Sequence, residues 1–210
     1  MNVNPINAII FDLGGVLLDI NYQLTIEAFN NLGCSDFESI YTQQKQSQLF
    51  DDFETGKVSS ETFRKSLQKQ MEFSISNVEF DNAWNKMLLQ LPEQRIELLE
   101  KLNKKFSLFL LSNTNEIHIK AFKKIISSSI GYERFENCFK KVYFSSEIGN
   151  RKPNASCFEM VLSENKLSAA KTLFIDDSIQ HVEGAYKIGI KTLLIESGEE
   201  LVSIFPDTIL

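Results

Sequence analysis

Residues 8–19 of this 210-residue chain read AIIFDLGGVLLD. An apolar run, Ala8–Phe11, ends at a single carboxylate, Asp12, and the glycines Gly14 and Gly15 follow it. A short run that is apolar throughout, without alternation, is typical of a strand covered on both faces. The stretch therefore predicts a buried strand that presents Asp12 at its carboxyl end, directly before a turn that glycine makes possible.

Four later runs have the same uninterrupted apolar character, and amphipathic helical patterns lie between them. The runs span residues 106–111, 141–144, 172–175 and 192–195. The helical pattern that begins at Pro92 ends in lysines, as the helix dipole favours. Strands that alternate with helices predict an α/β fold built on a doubly wound, Rossmann-like, mostly parallel sheet.

The first connection is too long for a simple crossover. No strand-like run is present between residues 21 and 90, where the sequence shows helical patterns instead. A crossover between parallel strands needs only about a dozen residues, and a structureless loop of this length would be unusual. We therefore predict a helical cap domain, residues 20–90, inserted into an α/β core domain made of residues 1–19 and 91–210.

Composition excludes several classes of function. The net charge of −6 gives a surface that repels nucleic acid and anionic lipid, so we expect neither as a partner. No apolar stretch is long enough to span a bilayer. The three cysteines are scattered and lack CxxC spacing, which favours a reducing, cytoplasmic location over a zinc site or a disulfide framework. A monomer is the default expectation.

Polar groups follow each of the first four predicted strands. In chain order they are Asp12; then Ser112, Asn113 and Thr114; then Arg151 and Lys152; and then Asp176 and Asp177. Ligands of doubly wound sheets bind outside the carboxyl ends of the strands. The sequence therefore predicts one site that combines carboxylates, a hydroxyl, amides and a lysine.

Four segments resemble, in order, the motifs of the haloacid dehalogenase-like hydrolases. They are FDLGGVLLD (11–19), LLSNT (110–114), RKP (151–153) and FIDDS (174–178). The predicted insert lies where the helical C1 caps of that superfamily lie. The wording of these motifs is closest to the branch that contains bacterial α-glucose-1-phosphate phosphatases. Four motifs in order on a matching strand pattern make a much stronger signal than any one of them.

The resemblance implies a role for each motif residue. Asp12 would attack phosphorus as the nucleophile and form an aspartyl-phosphate. Mg²⁺ would be held by Asp12, the carbonyl of Gly14 and Asp177. Asp176 would hold a metal-bound water or bind the metal directly, and the sequence does not separate it from Asp177.

The second and third motifs would act on the phosphate itself. The resemblance implies that Ser112 and the Asn113 amide, with the adjacent Thr114, bind the phosphoryl oxygens. Lys152 would neutralise charge between the phosphate and Asp12, a role that suits a point-charge ammonium.

One expected group is missing. Most phosphatases of this superfamily carry a second aspartate two residues after the nucleophile, and this chain has Gly14 there. General acid–base help is typically worth ~10²–10⁴-fold, so three interpretations compete. The chain is a Mg²⁺-dependent phosphatase for a small phosphorylated metabolite with a good leaving group, such as a hexose 1-phosphate. Alternatively it is a 2-haloacid dehalogenase-type hydrolase, or a non-catalytic regulatory relative that binds phosphate or metal. The paired carboxylates after the fourth strand favour the phosphatase.

Other side chains carry weaker expectations. His118 is expected to be a solvated helix residue, with delivery of a proton in the site as the alternative, and His181 is expected at the surface. Residues 45–59 are expected to contain a cap loop. Phe50 or Phe53 in that segment could face the substrate, although a phenylalanine in a helical insert is usually a core residue.

Overall fold

The computed structural model describes residues 5–34, 37–39 and 48–205. Its strands are β1 (Ala8–Phe11), β2 (Ser107–Ser112), β3 (Lys141–Phe144), β4 (Thr172–Asp176) and β5 (Lys191–Leu194). They form a parallel sheet in the order β3-β2-β1-β4-β5. Each strand begins and ends within one residue of its predicted run, so the prediction of a doubly wound parallel sheet is confirmed.

The central strand, β1, is covered on both faces. Ile9 pairs in register with Leu108 of β2, and both belong to one hydrophobic cluster. Ile10 pairs with Phe109 and belongs to a second cluster on the opposite face. Successive side chains of a strand point to opposite faces, so burial on both sides is the reason that the run shows no alternation.

Helices cover both faces of the sheet. In chain order they are α1 (Tyr22–Asn31), α2 (Gln48–Glu54), α3 (Ser60–Gln70), α4 (Asn77–Trp84), α5 (Glu93–Leu102), α6 (Glu116–Ser129), α7 (Tyr132–Glu136), α8 (Ser145–Ile148), α9 (Ala155–Glu164), α10 (Ile179–Lys187) and α11 (Leu201–Ile204). Residues of α5, α6, α7 and α11 join the cluster that contains Ile9. Residues of α9 and α10 join the cluster that contains Ile10. None of the helices in the described ranges has the length and hydropathy needed to cross a membrane.

The helices α1–α4 pack around a hydrophobic cluster of their own, which is rich in aromatic rings. Phe63 stacks on Phe53 with ring centroids 4.1 Å apart, and Trp84 lies 5.2 Å from Phe63. Two chain segments connect this part to the sheet and run side by side. The amide of Asp19 donates to the carbonyl of Gln90 at 2.8 Å.

The division into a core and a cap domain stays a prediction. Residues 35–36 and 40–47 of the predicted cap lie outside the described part of the chain, as do residues 1–4 and 206–210 of the predicted core.

Within residues 45–59, which are expected to contain a loop, residues 48–54 form α2 and residues 55–59 form the non-helical connection to α3. Residues 45–47 lie outside the described chain. Phe50 and Phe53, three residues apart, lie on one face of that helix and are each 2% exposed in the aromatic cluster. They therefore face away from the cavity described below. Apolar residues at this spacing form the buried stripe of a short amphipathic helix.

Gly56 brings the chain after α2 directly against α8. Its φ is +69°, and a Cβ there would collide with the carbonyl oxygen of Ser146. Gly149 has nearly the same φ, +67°, but open space beside it, which makes it a matched control. We expect Gly149→Ala to cost about 1–2 kcal/mol of backbone strain, and Gly56→Ala to cost about 1–3 kcal/mol more through overpacking. Urea unfolding measures both losses, and equal losses would contradict the close approach.

Candidate active site

The carboxyl ends of the strands open into a cavity of about 370 Å³. The lining includes six of the predicted site residues, namely Asp12, Gly14, Ser112, Asn113, Lys152 and Asp177. Parallel strands deliver these groups to one edge of the sheet, because β1, β2 and β4 are neighbours. Two predicted site residues, Thr114 and Asp176, do not line the cavity.

A buried ammonium joins two of the strand ends. The Lys152 Nζ atom lies 2.7 Å from Asp12 Oδ1 and 2.6 Å from Asp176 Oδ2, and the Lys152 side chain is 0% exposed. Asp12 follows β1 and Asp176 ends β4. A charge removed from water must be paired, so these three side chains form one electrostatic unit.

Burial and charge act on the three pKa values differently. Burial raises the pKa of Asp12, since Lys152 offsets only part of that effect and Asp176 adds repulsion. Burial alone would also raise the pKa of Asp176, but Lys152 and His181 hold it below its usual value. Burial lowers the pKa of Lys152, yet the two carboxylates outweigh burial and keep the amine protonated. Asp176 is thus the fixed counter-ion, while Asp12 is the more basic carboxylate and reaches the cavity.

The two adjacent aspartates have different surroundings. Asp176 is fully buried, and its oxygens accept from Lys152 Nζ and from the amide of Ser178 at 2.8 Å. Asp177 lines the cavity instead. Burial and the charges of Asp12 and Asp176 raise the pKa of Asp177 to about 7. The structure therefore separates the two carboxylates, with Asp177 alone facing the space where a ligand would lie.

Gly15 makes room for Asp177. Gly15 has a φ of +76°, and a Cβ there would collide with the Asp177 carboxylate. The sequence suggests that Gly14 and Gly15 both make the turn, but of the two only Gly15 has a φ in the left-handed region. A Cβ on Gly14 would meet the side chain of Ile20 at 3.3 Å. A side chain at position 14 would therefore fit with only a small shift of Ile20.

The side chain of Asn113 positions Lys152. Its Nδ2 donates to the carbonyl of Lys152 at 2.9 Å, and its Oδ1 accepts from the amide of Lys152 at 3.0 Å. The side-chain amide therefore holds the backbone of Lys152. Ser112, at the end of β2, is the hydroxyl of this motif that lines the cavity.

The prediction that Thr114 contacts the substrate is not supported. The Thr114 amide donates to Ser145 Oγ at 2.8 Å, and its carbonyl accepts from the same hydroxyl at 3.0 Å. These bonds tie the segment after β2 to α8, and Thr114 is 5% exposed. The hydrogen bonds to Ser145 therefore fix the position of Thr114, which does not line the cavity.

Both expectations for the histidines are wrong. His118 is buried, stacks on Trp84 with ring centroids 5.0 Å apart, and lies outside the cavity lining. Burial lowers its pKa to about 4, although a bond to the Trp84 carbonyl opposes that effect. His181 lines the cavity, and its Nδ1 lies 3.0 Å from Asp176 Oδ1. The sequence could have indicated His181, because the first turn of the helix that follows β4 lies at the carboxyl edge of the sheet.

Two sets of side chains are candidates for a cation site. Asp12, Asp176 and His181 have potential ligand atoms within 4.8 Å of one another. The Lys152 ammonium already lies between Asp12 and Asp176, however, and would repel a metal ion there. Asp12 and Asp177 both line the cavity, and the charge of Asp12 contributes to the raised pKa of Asp177. A divalent cation beside these two oxygen ligands would relieve that repulsion, so the residues present fit one.

Comparison with known proteins identifies the family. Residues 9–195 match the family described as haloacid dehalogenase-like hydrolase, and the chain belongs to that family. The family-level resemblance of the sequence motifs is thereby confirmed. The narrower resemblance to α-glucose-1-phosphate phosphatases stays a prediction.

Several relatives cover nearly the whole chain. The D-ribitol-5-phosphate phosphatase of Bacteroides thetaiotaomicron is 28% identical over 195 residues, which are 93% of this chain and 94% of that protein. The crystal structure of a haloacid dehalogenase (HAD) family enzyme of that species, in complex with magnesium and inorganic phosphate, has a TM-score of 0.85 at 31% identity. It covers 96% of this chain and 100% of its own. A protein described as a predicted HAD-like family hydrolase from Porphyromonas gingivalis has a TM-score of 0.84 at 29% identity and covers 95% of each chain.

Removal of the buried ammonium should destabilise the protein. We expect Lys152→Met to cost about 3–5 kcal/mol at neutral pH, because it leaves buried carboxylates without their counter-ion. Lys141→Met is the matched control, since the Lys141–Glu164 pair has side chains that are 50% and 44% exposed. Exposed pairs contribute little, so the control should lose far less stability in urea unfolding.

The loss caused by Lys152→Met should depend on pH. Burial alone would raise the pKa of Asp176, but in the wild type Lys152 and His181 hold it low. In the variant the Lys152 counter-ion is gone, so we expect burial to raise the pKa of Asp176 above that of the unfolded chain. The cost of keeping its charge buried then grows as the pH rises above the unfolded carboxyl pKa and is lost as the pH falls toward it. The difference between wild type and variant should shrink toward about pH 4. A difference that is constant from pH 7 to pH 4 would contradict this electrostatic account.

Proposed function

From this family membership and this geometry, we propose that the protein is a Mg²⁺-dependent phosphatase. Its substrate is a small phosphorylated sugar or sugar alcohol, and Asp12 forms an aspartyl-phosphate. The observation that supports this most directly is the buried Lys152 ammonium, which holds Asp12 at the floor of a small polar cavity.

Asp12 is mounted for nucleophilic attack. It directly follows the buried strand β1, is 7% exposed, and faces the cavity. Its carboxylate attacks phosphorus, the bond from phosphorus to the ester oxygen breaks, and the leaving oxygen takes a proton from water. Water then hydrolyses the aspartyl-phosphate and regenerates the carboxylate. Lys152 neutralises charge on the phosphoryl oxygens, and Ser112 donates a hydrogen bond to one of them.

The residues beside Asp12 suit a hard cation. Asp12, the carbonyl of Gly14 and Asp177 would hold Mg²⁺, which when bound would shield the phosphate charge from the attacking carboxylate. Asp176 is not among these ligands, because its oxygens bond to Lys152, Ser178 and His181. It positions Lys152 instead. The magnesium and phosphate in the crystals of the related HAD enzyme support this assignment.

The size and polarity of the cavity favour a small hydroxylated substrate. A volume of about 370 Å³ lies at the small end of the range for ligand sites and favours a small substrate over a phosphoprotein segment. The relative named D-ribitol-5-phosphate phosphatase acts on a phosphorylated sugar alcohol by its name. Within this class, a hexose 1-phosphate is the candidate that the missing acid at Gly14 favours, because its leaving oxygen is less basic than a simple alkoxide.

Hydrolysis of an aryl phosphate with and without Mg²⁺ tests the proposal. Asp12→Asn should lower turnover by at least about 10³-fold, as loss of a covalent nucleophile does, and a chelator should abolish wild-type activity. Asp81→Asn, on α4 and outside the cavity lining, is the control for a carboxylate-to-amide change and should leave turnover unaltered.

Three results would contradict the proposal. Equal activity of Asp12→Asn and the wild type would remove the nucleophile assignment. Release of halide from 2-chloro acids in a chelator would identify a dehalogenase. Mg²⁺ binding without turnover of any phosphorylated metabolite in a broad panel would identify a non-catalytic relative.

The glycine at position 14 yields a separate prediction. Gly14 lines the cavity and its backbone accepts a side chain, so Gly14→Asp should restore a general acid. We expect kcat for an alkyl phosphate to rise by about 10- to 100-fold, and the dependence of rate on leaving-group acidity to flatten. Gly14→Ala, which adds only a Cβ at the same place, should do neither. A dependence that is already flat in the wild type would mean that another residue supplies the proton.

A further inference from the structure

We propose that a carboxylate pair on α2, Asp51 and Glu54, held by Arg151 of the core, selects the part of the substrate that carries no phosphate. Together these residues form the rim triad. It accepts hydrogen bonds from the hydroxyls of a neutral polyol chain and rejects a second anionic group. This inference rests on the proposed function and assigns its substrate specificity to particular residues.

The rim triad bridges the two parts of the molecule at the cavity. Asp51 and Glu54 are three residues apart and share one face of α2, while Phe50 and Phe53 lie buried on the neighbouring face. Arg151 comes from the segment after α8, directly before Lys152. Its Nη1 bonds to the Asp51 carboxylate, and its Nη2 lies 3.2 Å from Glu54 Oε2. All three side chains line the cavity that also contains Asp12.

Partial burial distinguishes the pair Glu54–Arg151 from a surface ion pair, whereas the Asp51 side chain is 46% exposed. The Glu54 side chain is 16% exposed and that of Arg151 is 19% exposed. The exposed pair Lys65–Glu61, for comparison, has side chains that are 75% and 69% exposed. Hydrogen bonds in a partly dehydrated site are stronger than those in water. A ligand group that can form them here should therefore bind better than one that cannot.

The charge of the rim triad decides which chemistry fits. Two carboxylates and one guanidinium have a formal net charge of −1, and both described ion pairs of the guanidinium are with these carboxylates. A second phosphate would have to compete with the carboxylates for Arg151, and the formal charge of the rim triad disfavours it. Carboxylate oxygens accept hydrogen bonds from hydroxyls and donate none.

The cavity lining thus carries two different sets of charges. Lys152, together with the Mg²⁺ of the proposed function, would supply positive charge beside Asp12, where the phosphate would lie. Tyr22 adds a phenol to the lining, and burial together with the charge of Asp177 raises its pKa, so it stays protonated. A monophosphate with a neutral polyhydroxy chain matches this arrangement at both ends.

Glu54→Gln tests the rim triad, because it removes the charge and keeps the shape of the more buried carboxylate. The measurement compares kcat/KM for ribitol 5-phosphate with kcat/KM for pentyl phosphate, which lacks the hydroxyls. The wild type should prefer the polyol ester, and Glu54→Gln should reduce that preference by about 10- to 100-fold, as loss of hydrogen bonds to a charged acceptor does. Discrimination against a sugar bisphosphate should weaken in the same variant.

Glu116→Gln is the matched control. Glu116 Oε2 accepts from Ser60 Oγ at 2.7 Å between α3 and α6, so it also joins the two parts, but it does not line the cavity. This variant should keep the wild-type preference. Equal loss of preference in both variants, or equal loss of rate on both esters in Glu54→Gln, would overturn the proposal in favour of a structural role.

The choice of substrates separates this inference from the proposed function. Turnover of either ester that requires Asp12 establishes the phosphatase, whatever the preference is. A wild-type preference for pentyl phosphate, an aminoalkyl phosphate or a bisphosphate over the polyol ester would overturn the rim triad while leaving the phosphatase intact. Absence of turnover of every ester would overturn both.

Discussion

The fully buried ammonium of Lys152 is the constraint on which the rest of the site depends. A lone charge in the interior would be strongly unfavourable, so Asp12 and Asp176 must both reach it. That requirement ties the ends of β1 and β4 to the segment after β3, three pieces distant in sequence. The Asn113 side chain completes the arrangement, because it holds both backbone polar groups of Lys152 from the end of β2.

The same charges explain how the Asp177 carboxylate is accommodated near Asp12. Lys152 is shared by two carboxylates, so its charge offsets only part of the repulsion that Asp12 and Asp176 exert on Asp177. The absence of a Cβ at Gly15 lets that third carboxylate approach the loop after β1. A site that concentrates negative charge around one carboxylate, next to a cavity, is suited to a hard divalent cation and a phosphate together.

The helices between β1 and α5 add a different kind of chemistry. The short helix α2 buries its phenylalanines in the aromatic cluster and presents its carboxylates to the cavity. In the function proposed for this chain, the core supplies the charged groups for a phosphate, and α2 supplies acceptors for the remainder of the substrate. The reaction and the choice of substrate would then belong to different segments, which Arg151 joins.

The sequence by itself determined the strands, their parallel arrangement and the residues at their carboxyl ends, because those signals are local: apolar runs, the polar residues that follow them, and their order along the chain. Only the tertiary structure decided which of the adjacent aspartates faces the cavity, that His181 reaches it while His118 is buried, and that Asn113 holds Lys152. Neighbouring residues of similar chemistry differ only in the direction in which the folded backbone points them. The contact between Asp51 and Arg151 joins residues 100 positions apart, and no local pattern records a pairing that forms only when the two parts of the molecule pack together.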